Sequence, residues 1–180
     1  MSKILGRQIN HPHDFVATPE KAVLSLVPHL PLGVKYYEPC YGQGDLVRAL
    51  NRNAMAECVG WSDIRPPGRV LDAAALTAGD LGDAEMFITN PPWSVHLLHP
   101  ILDNLLSLDR PIWFLLYTDW LFTRQAVPYH PFIWQVVTMP RQIWIAGTKD
   151  TGTANCCWIL FDPLWKKIGG GGWLSGWPTK

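Results

Sequence analysis

The sequence predicts an α/β fold built on a mainly parallel sheet, and three observations carry that expectation. Short apolar runs alternate with helical stretches along most of the chain, the pattern of strand–helix repeats. Two glycines, Gly42 and Gly44, stand in a short loop between the first strand and the helix that follows it. Acidic residues close successive strands, at the sheet end where open α/β folds bind their ligands.

The elements follow in order. Thr18-Pro19-Glu20 reads as a helix start, with Thr18 as the cap, Pro19 in the first helical position and Glu20 against the dipole. That helix is expected to run to about Leu30. Val34 to Glu38 reads as the first strand, Pro39 to Gly44 as a tight loop, and Asp45 to Arg52 as a helix. Glu57 to Ser62 is the expected second strand, ending at Asp63, and Arg69 to Leu71 a short third. Glu85 to Thr89 is the fourth. Val95 to Leu108 reads as a helix despite Pro100, and Ile112 to Tyr117 as the fifth strand. Ile133 to Met139, Ile143 to Ala146 and Asn155 to Phe161 supply the remaining strands. Residues 168–180 contain four consecutive glycines with Trp173 and Trp177, and read as a flexible tail that could dock back through either indole. The expected organisation is one domain over 1–167 and this tail.

Composition bounds the function. A chain of 180 residues, 48% hydrophobic and 17% charged, suits one globular core. No apolar run approaches the length of a membrane span. No long apolar segment follows Lys3, so no signal peptide is expected and the cytoplasm is the expected compartment. The cysteines Cys40, Cys58, Cys156 and Cys157 form no C-x-x-C pair and read as buried free thiols. The pairs His11/His13 and His96/His99 have no Cys or carboxylate cluster at ligand spacing, so no metal is expected. The net charge of zero argues against a large nucleic-acid footprint.

The loop Glu38-Pro39-Cys40-Tyr41-Gly42-Gln43-Gly44-Asp45 joins the first strand to a helix. Its glycines permit a tight turn and a close approach to a ligand. It is not a phosphate loop, because no G-K-[ST] follows, and Val47 replaces the third glycine of a dinucleotide fingerprint. Glu38 and Asp45 suit a cationic ligand better than a pyrophosphate. Asp63 stands 19 residues after Gly44, where a carboxylate takes ribose hydroxyls. Asp72, after the third strand, could accept from an adenine amino group. Taken singly, the glycines are equally an ordinary turn and each acid a solvated loop residue. Their joint placement favours a site.

Asn90-Pro91-Pro92-Trp93 follows the apolar run Met86-Phe87-Ile88-Thr89. Two prolines stiffen the backbone and remove two N–H donors. The Asn90 side-chain oxygen and the Pro91 carbonyl then form a pair of acceptors for one amino group. An aryl or amide NH2 is a weak nucleophile because its lone pair is delocalised. Two acceptors favour pyramidal nitrogen and aim that lone pair at an electrophile. Trp93 supplies a flat face for a planar substrate. A rigid strand-to-helix turn with a packing tryptophan would use the same residues.

The tetrapeptide, together with the E-P-x-x-G-x-G loop, resembles the amino-group methyltransferases, above all the DNA adenine-N6 enzymes, including small phage-borne ones. The matching segments are Asp14 to Pro19, Glu38 to Asp45, Asp63, Asp72 and Asn90 to Trp93. The resemblance implies a single Rossmann-like class I methyltransferase domain, with a mostly parallel seven-stranded sheet and helices on both faces. It implies S-adenosylmethionine as cofactor, held by Phe15, Thr18, Pro19, Glu38, Pro39, Gly42 and Gly44, with Asp63 on the ribose and Asp72 on the adenine. It makes Asn90, Pro91, Pro92 and Trp93 catalytic, holding a target adenine flipped out of DNA. Only 87 residues follow Trp93, and these must first complete the sheet. Little is left to read a DNA sequence. Arg124, Arg141 and Lys149 are the candidates for phosphate contact. The same chemistry fits RNA adenine, cytosine N4 or a protein glutamine amide, and a catalytically silent binding protein is the alternative of another class.

Overall fold

The computed structural model describes residues 16–65, 69–144 and 154–168. Four helices are α1 (Glu20–Leu26), α2 (Asp45–Asn53), α3 (Val95–Ser107) and α4 (Pro163–Lys167). Six strands are β1 (Val34–Glu38), β2 (Ala56–Trp61), β3 (Met86–Thr89), β4 (Ile112–Tyr117), β5 (Ile133–Thr138) and β6 (Cys156–Phe161). The strands form one sheet in the order β2-β1-β3-β4-β6-β5. The first four are parallel, and β6 lies antiparallel to both β4 and β5. Every residue of β3 and all but the last of β4 are buried. Such strands are covered on both faces, which is why they read as unbroken apolar runs.

Packing explains the local choices. α2 buries Leu46, Val47, Ala49 and Leu50 and turns Arg48 and Arg52 outward. This is the spacing of one helical face. Arg52 and Asn53 both donate to Glu20, which ties α2 to the start of α1. The buried Trp158 of β6 donates to the Ala22 carbonyl at 2.8 Å. One buried indole therefore satisfies its N–H while fixing α1 against the antiparallel side of the sheet.

Four expectations are corrected. Among the described residues the sheet has six strands, not seven, and the expected third strand is one parallel bridge, Asp63 with Val70. The cause lies in the sequence. Pro66, Pro67 and Gly68 precede the segment, and Asp72 ends it by capping the turn Ala73–Ala75. No room for a ladder remains. Secondly, Thr18 is not the cap of α1. Pro19 takes that position without a side-chain cap, and the Thr18 hydroxyl serves elsewhere. Thirdly, α1 ends at Leu26 and continues as a single 3-10 turn, Val27–His29, because Pro28 lacks the amide that would extend it. Fourthly, residues 139–144, after Thr138 and around Pro140, are irregular, so Ile143 and Trp144 start no strand.

All four cysteines are free thiols as expected, but only Cys156 and Cys157, in the covered strand β6, are buried; Cys40 and Cys58 are half-buried. The tail at 169–180, Phe15, the pair His11/His13, Lys149, and Ile145 and Ala146 lie outside the described residues. No described helix is long and apolar enough to cross a membrane. The described residues contain no group of three or more His, Cys, Asp or Glu placed to hold a metal.

Candidate active site

β1 and β3 are neighbours, while the chain between them visits β2 on the other side. This is the switch point of the sheet, where a crevice opens beyond the strand ends. A cavity of about 340 Å³ lies there, within the range of small-ligand sites, roughly 300–1,000 Å³. Of the residues singled out in the sequence, Thr18, Glu38, Pro39, Gly42, Asp63, Asp72, Asn90 and Pro92 line it. Pro19, Gly44, Pro91 and Trp93 are not part of that lining.

The glycine loop is built by backbone geometry. Gly42 and Gly44 both take left-handed conformations, with φ of 55° and 76°. Gly44 begins α2 and its amide donates to the Tyr41 carbonyl at 2.8 Å. A Cβ on Gly44 would run into the Tyr41 phenol. That ring is held against Trp61, 5.5 Å between centroids. Gly44→Ala is therefore expected to lose about 1–2 kcal/mol from the left-handed backbone alone and to displace Tyr41 from the cavity wall. Thermal melting and cofactor titration read both effects; an unchanged melting temperature would contradict the assignment.

Asp63 is oriented from two sides. Its Oδ2 accepts from the Gly42 amide at 2.8 Å and its Oδ1 from the Arg65 amide at 3.0 Å. The carboxylate thus joins the end of β2 to the glycine loop, with lone pairs left for a ligand. Asp72 Oδ1 accepts from the Ala74 amide at 2.9 Å. The turn that follows is fastened to α3: Asn104 Nδ2 donates to the Ala73 and Leu76 carbonyls at 3.0 and 3.1 Å.

Glu38 is buried at the end of β1. Its Oε1 accepts from the Cys40 amide at 3.0 Å. Burial pushes its pKa up to about 8, and the charge of Asp63 acts in the same direction. The Thr89 hydroxyl is close enough to favour the ionised form, yet it has no well-formed hydrogen bond among the described residues. Burial likewise pushes the Cys40 thiol up.

A raised carboxyl has a definite sign. Between about pH 4.5 and about 8 the folded chain holds a proton that the unfolded chain has released. Stability should fall as pH rises through that window, by up to about 1.4 kcal/mol per pH unit. A cationic ligand favours the carboxylate, so its affinity should rise toward pH 8. Glu38→Gln is expected to flatten both profiles in melting and calorimetry; parallel profiles for the two proteins would count against this.

Asn90, at the end of β3, is locked in one orientation. Its Nδ2 donates to the Val16 carbonyl and to Thr18 Oγ1, both at 3.2 Å. Its Oδ1 accepts from the Trp93 indole N–H at 3.2 Å. Two acceptors on one side and a donor on the other assign the amide without ambiguity. One lone pair of Oδ1 remains for an incoming N–H.

Trp93 is not an open face. It is 8% exposed, and its Nε1 also donates to the Leu115 carbonyl at 2.9 Å. Trp144 packs edge-on against it at 5.2 Å and Tyr117 lies tilted at 5.9 Å. The Trp144 indole N–H is buried with no hydrogen-bond partner among the described residues.

Several lining residues were not singled out for this site: Tyr41, Ile64, His96, Leu97, Pro100 and Ile101. The last four stand on α3 at helical spacing, directly after the tetrapeptide. That periodicity was the available signal.

The cavity lining suits S-adenosylmethionine in charge and in apolar surface. Glu38, Asp45, Asp63 and Asp72 give the cavity a mainly acidic lining, matched to a sulfonium and an ammonium. Ile64, Leu97, Pro100 and Ile101 give apolar surface for a flat ring. The residues present fit this group.

No protein-family model matches the sequence, and no curated protein matches it. Solved structures do. A Pyrococcus horikoshii protein assigned as an RNA methyltransferase aligns with a TM-score of 0.61 at 12% identity, covering 87% of this chain and 92% of that one. A Listeria monocytogenes protein assigned as a class I S-adenosylmethionine-dependent methyltransferase gives 0.58 at 12%, covering 97% and 65%. The M protein of the type I restriction enzyme EcoKI gives 0.57 at 11%, covering 86% and 44%. This chain therefore spans less than half the length of the EcoKI M protein. These likenesses establish the fold: a Rossmann-like α/β domain with the architecture found in class I methyltransferases.

Proposed function

We propose that this chain is an S-adenosylmethionine-dependent methyltransferase whose acceptor is the exocyclic N6 amine of adenine in DNA. The observation that carries the reading is the fixed Asn90 amide, beside a cavity lined by carboxylates. Bound in that cavity, S-adenosylmethionine would supply an electrophilic methyl group on a sulfonium.

The chain's own residues do the rest. Glu38 and the glycine loop would hold the methionine part, with Thr18, Pro19, Pro39 and Phe15 around it. Asp63 would take the ribose hydroxyls and Asp72 the adenine amine of the cofactor. Asn90 Oδ1 and the Pro91 carbonyl would accept both hydrogens of the target amine. Pro92 offers no competing N–H. Positioning of this kind accounts for most of the expected rate, since no strong base is needed to remove a proton from methylated nitrogen. The base must leave a duplex to reach the site.

DNA is preferred because the tetrapeptide resembles that of the adenine-N6 enzymes and a restriction-enzyme M protein shares the fold. RNA adenine is the second reading, favoured by the fold shared with the Pyrococcus protein. Incubation with labelled S-adenosylmethionine and DNA, RNA or glutamine-bearing protein in parallel separates them. Label in DNA is the expected outcome; label confined to RNA or protein would overturn the acceptor, and none in any acceptor would overturn the enzyme.

A further inference from the structure

Asp72 reaches the cavity on a segment that the sheet supports at one point. The chain before it makes the single bridge between Asp63 and Val70, and the Leu71 amide donates to the Asp63 carbonyl at 3.0 Å. Asp72 then caps the turn Ala73–Ala75, its Oδ1 accepting from the Ala74 amide. That turn is held from the side by one side chain of α3. Asn104 Nδ2 donates to the Ala73 carbonyl at 3.0 Å and to the Leu76 carbonyl at 3.1 Å. The two acceptors bracket the turn, one directly after Asp72 and one where the turn closes. Ala73 and Leu76 are both buried, so their carbonyls need donors from the protein. A side-chain amide suits the task because its one nitrogen carries two N–H groups. Arg69 and Asp80 also join the chain on either side of the turn, but neither lines the cavity.

Asn104 itself is outside the cavity lining, whereas Asp72, Ala73, Pro100 and Ile101 are in it. Pro100 and Ile101 stand one helical turn before Asn104 on α3. The same helix therefore offers apolar surface to a flat ring and, one turn on, fixes the carboxylate proposed for that ring's amine. A full strand would hold such a carboxylate through its ladder. Here the ladder is one bridge, and Asn104 supplies the fixation that it lacks. We infer that Asn104 is a positioning residue for the cofactor's adenine, holding Asp72 where it meets the exocyclic amine. This rests on the proposed cofactor site and adds what makes that site selective for its base.

The test is calorimetric binding of S-adenosylhomocysteine and of its hypoxanthine counterpart, S-inosylhomocysteine. The second compound carries a carbonyl oxygen in place of the exocyclic amine, and a carboxylate repels it. The unaltered protein is expected to prefer the adenine compound by about 10-fold or more, the value of one hydrogen bond to a charged group. Asn104→Ala should lower that preference by about 5-fold or more, chiefly by weakening the adenine compound. Asn104→Ser keeps one donor and should fall between the two. In an Asp72→Ala background, Asn104→Ala should not change the preference further. Melting temperature is the folding control, and Asn104→Ser carries the same comparison if Asn104→Ala does not fold. An unchanged preference would overturn the positioning role. So would equal weakening of both compounds, which is what a merely structural role predicts. Equal binding of the two by the unaltered protein, or an unchanged preference in Asp72→Ala, would instead overturn the role given to Asp72. Failure of the unaltered protein to bind either compound would overturn the cofactor.

Discussion

Asn90→Ala should lower methyl transfer by about 10²–10³-fold, the cost of removing one preorganised polar contact to a reacting group. The cofactor dissociation constant should change little. The reason is where Asn90 stands. Its amide is fixed by Val16, Thr18 and Trp93, so Oδ1 is held before any substrate arrives. Truncation would remove the proposed acceptor for the target amine and also free the Trp93 indole from one of its two partners. Asn90→Asp separates the two losses. It keeps acceptor oxygens but loses the donor to Val16 and Thr18, so intermediate activity is expected. Steady-state rates at saturating cofactor measure both variants. Full activity in Asn90→Ala would remove Asn90 from the mechanism.

Asp63→Ala should act on the other half of the reaction. The expected result is a cofactor dissociation constant raised by about 10- to 100-fold, the value of one or two hydrogen bonds to a charged group. Turnover at saturating cofactor should survive. Asp63 does two things at once: it presents lone pairs to the cavity and it anchors the Gly42 amide. Its loss would remove the proposed ribose contact and loosen the loop proposed to hold the methionine part. Calorimetry with S-adenosylmethionine measures the effect. An unchanged dissociation constant would mean that the ribose lies elsewhere. The two variants make opposite splits, one in turnover and one in binding, which a general folding defect would not reproduce.

How far the sequence could be read depended on whether local chemistry decided the outcome. β1 and β4 have the limits expected of them, Val34–Glu38 and Ile112–Tyr117, because apolar runs between turn residues leave few alternatives. The left-handed Gly42 and Gly44 were legible for the same reason: only a residue without Cβ takes such a turn cheaply. Asp63 and Asn90 were brought to one cavity by strand ends that could be counted along the chain, and Asp72 joins them from the cap of the turn Ala73–Ala75. The reduced third strand was harder. Its apolar residues promised a strand, and the Pro-Pro-Gly run before it limited pairing to one bridge. Trp93 was harder still. Its identity suggested an open stacking face, while it is buried and in contact with Trp144, which is 51 positions further along the chain. Thr18 read as a helix cap and turned out to hold Asn90, 72 positions away. Contacts of that range leave no local signature.

Methylation of adenine N6 in DNA through Asn90 is the proposed reaction. It is tested most directly by incubating mixed-sequence DNA with labelled S-adenosylmethionine and identifying the product nucleosides by mass spectrometry. N6-methyladenine with the unaltered protein, and none above background with Asn90→Ala, is the predicted result. A methylated cytosine, or unmodified DNA from a protein that still binds the cofactor, would contradict it.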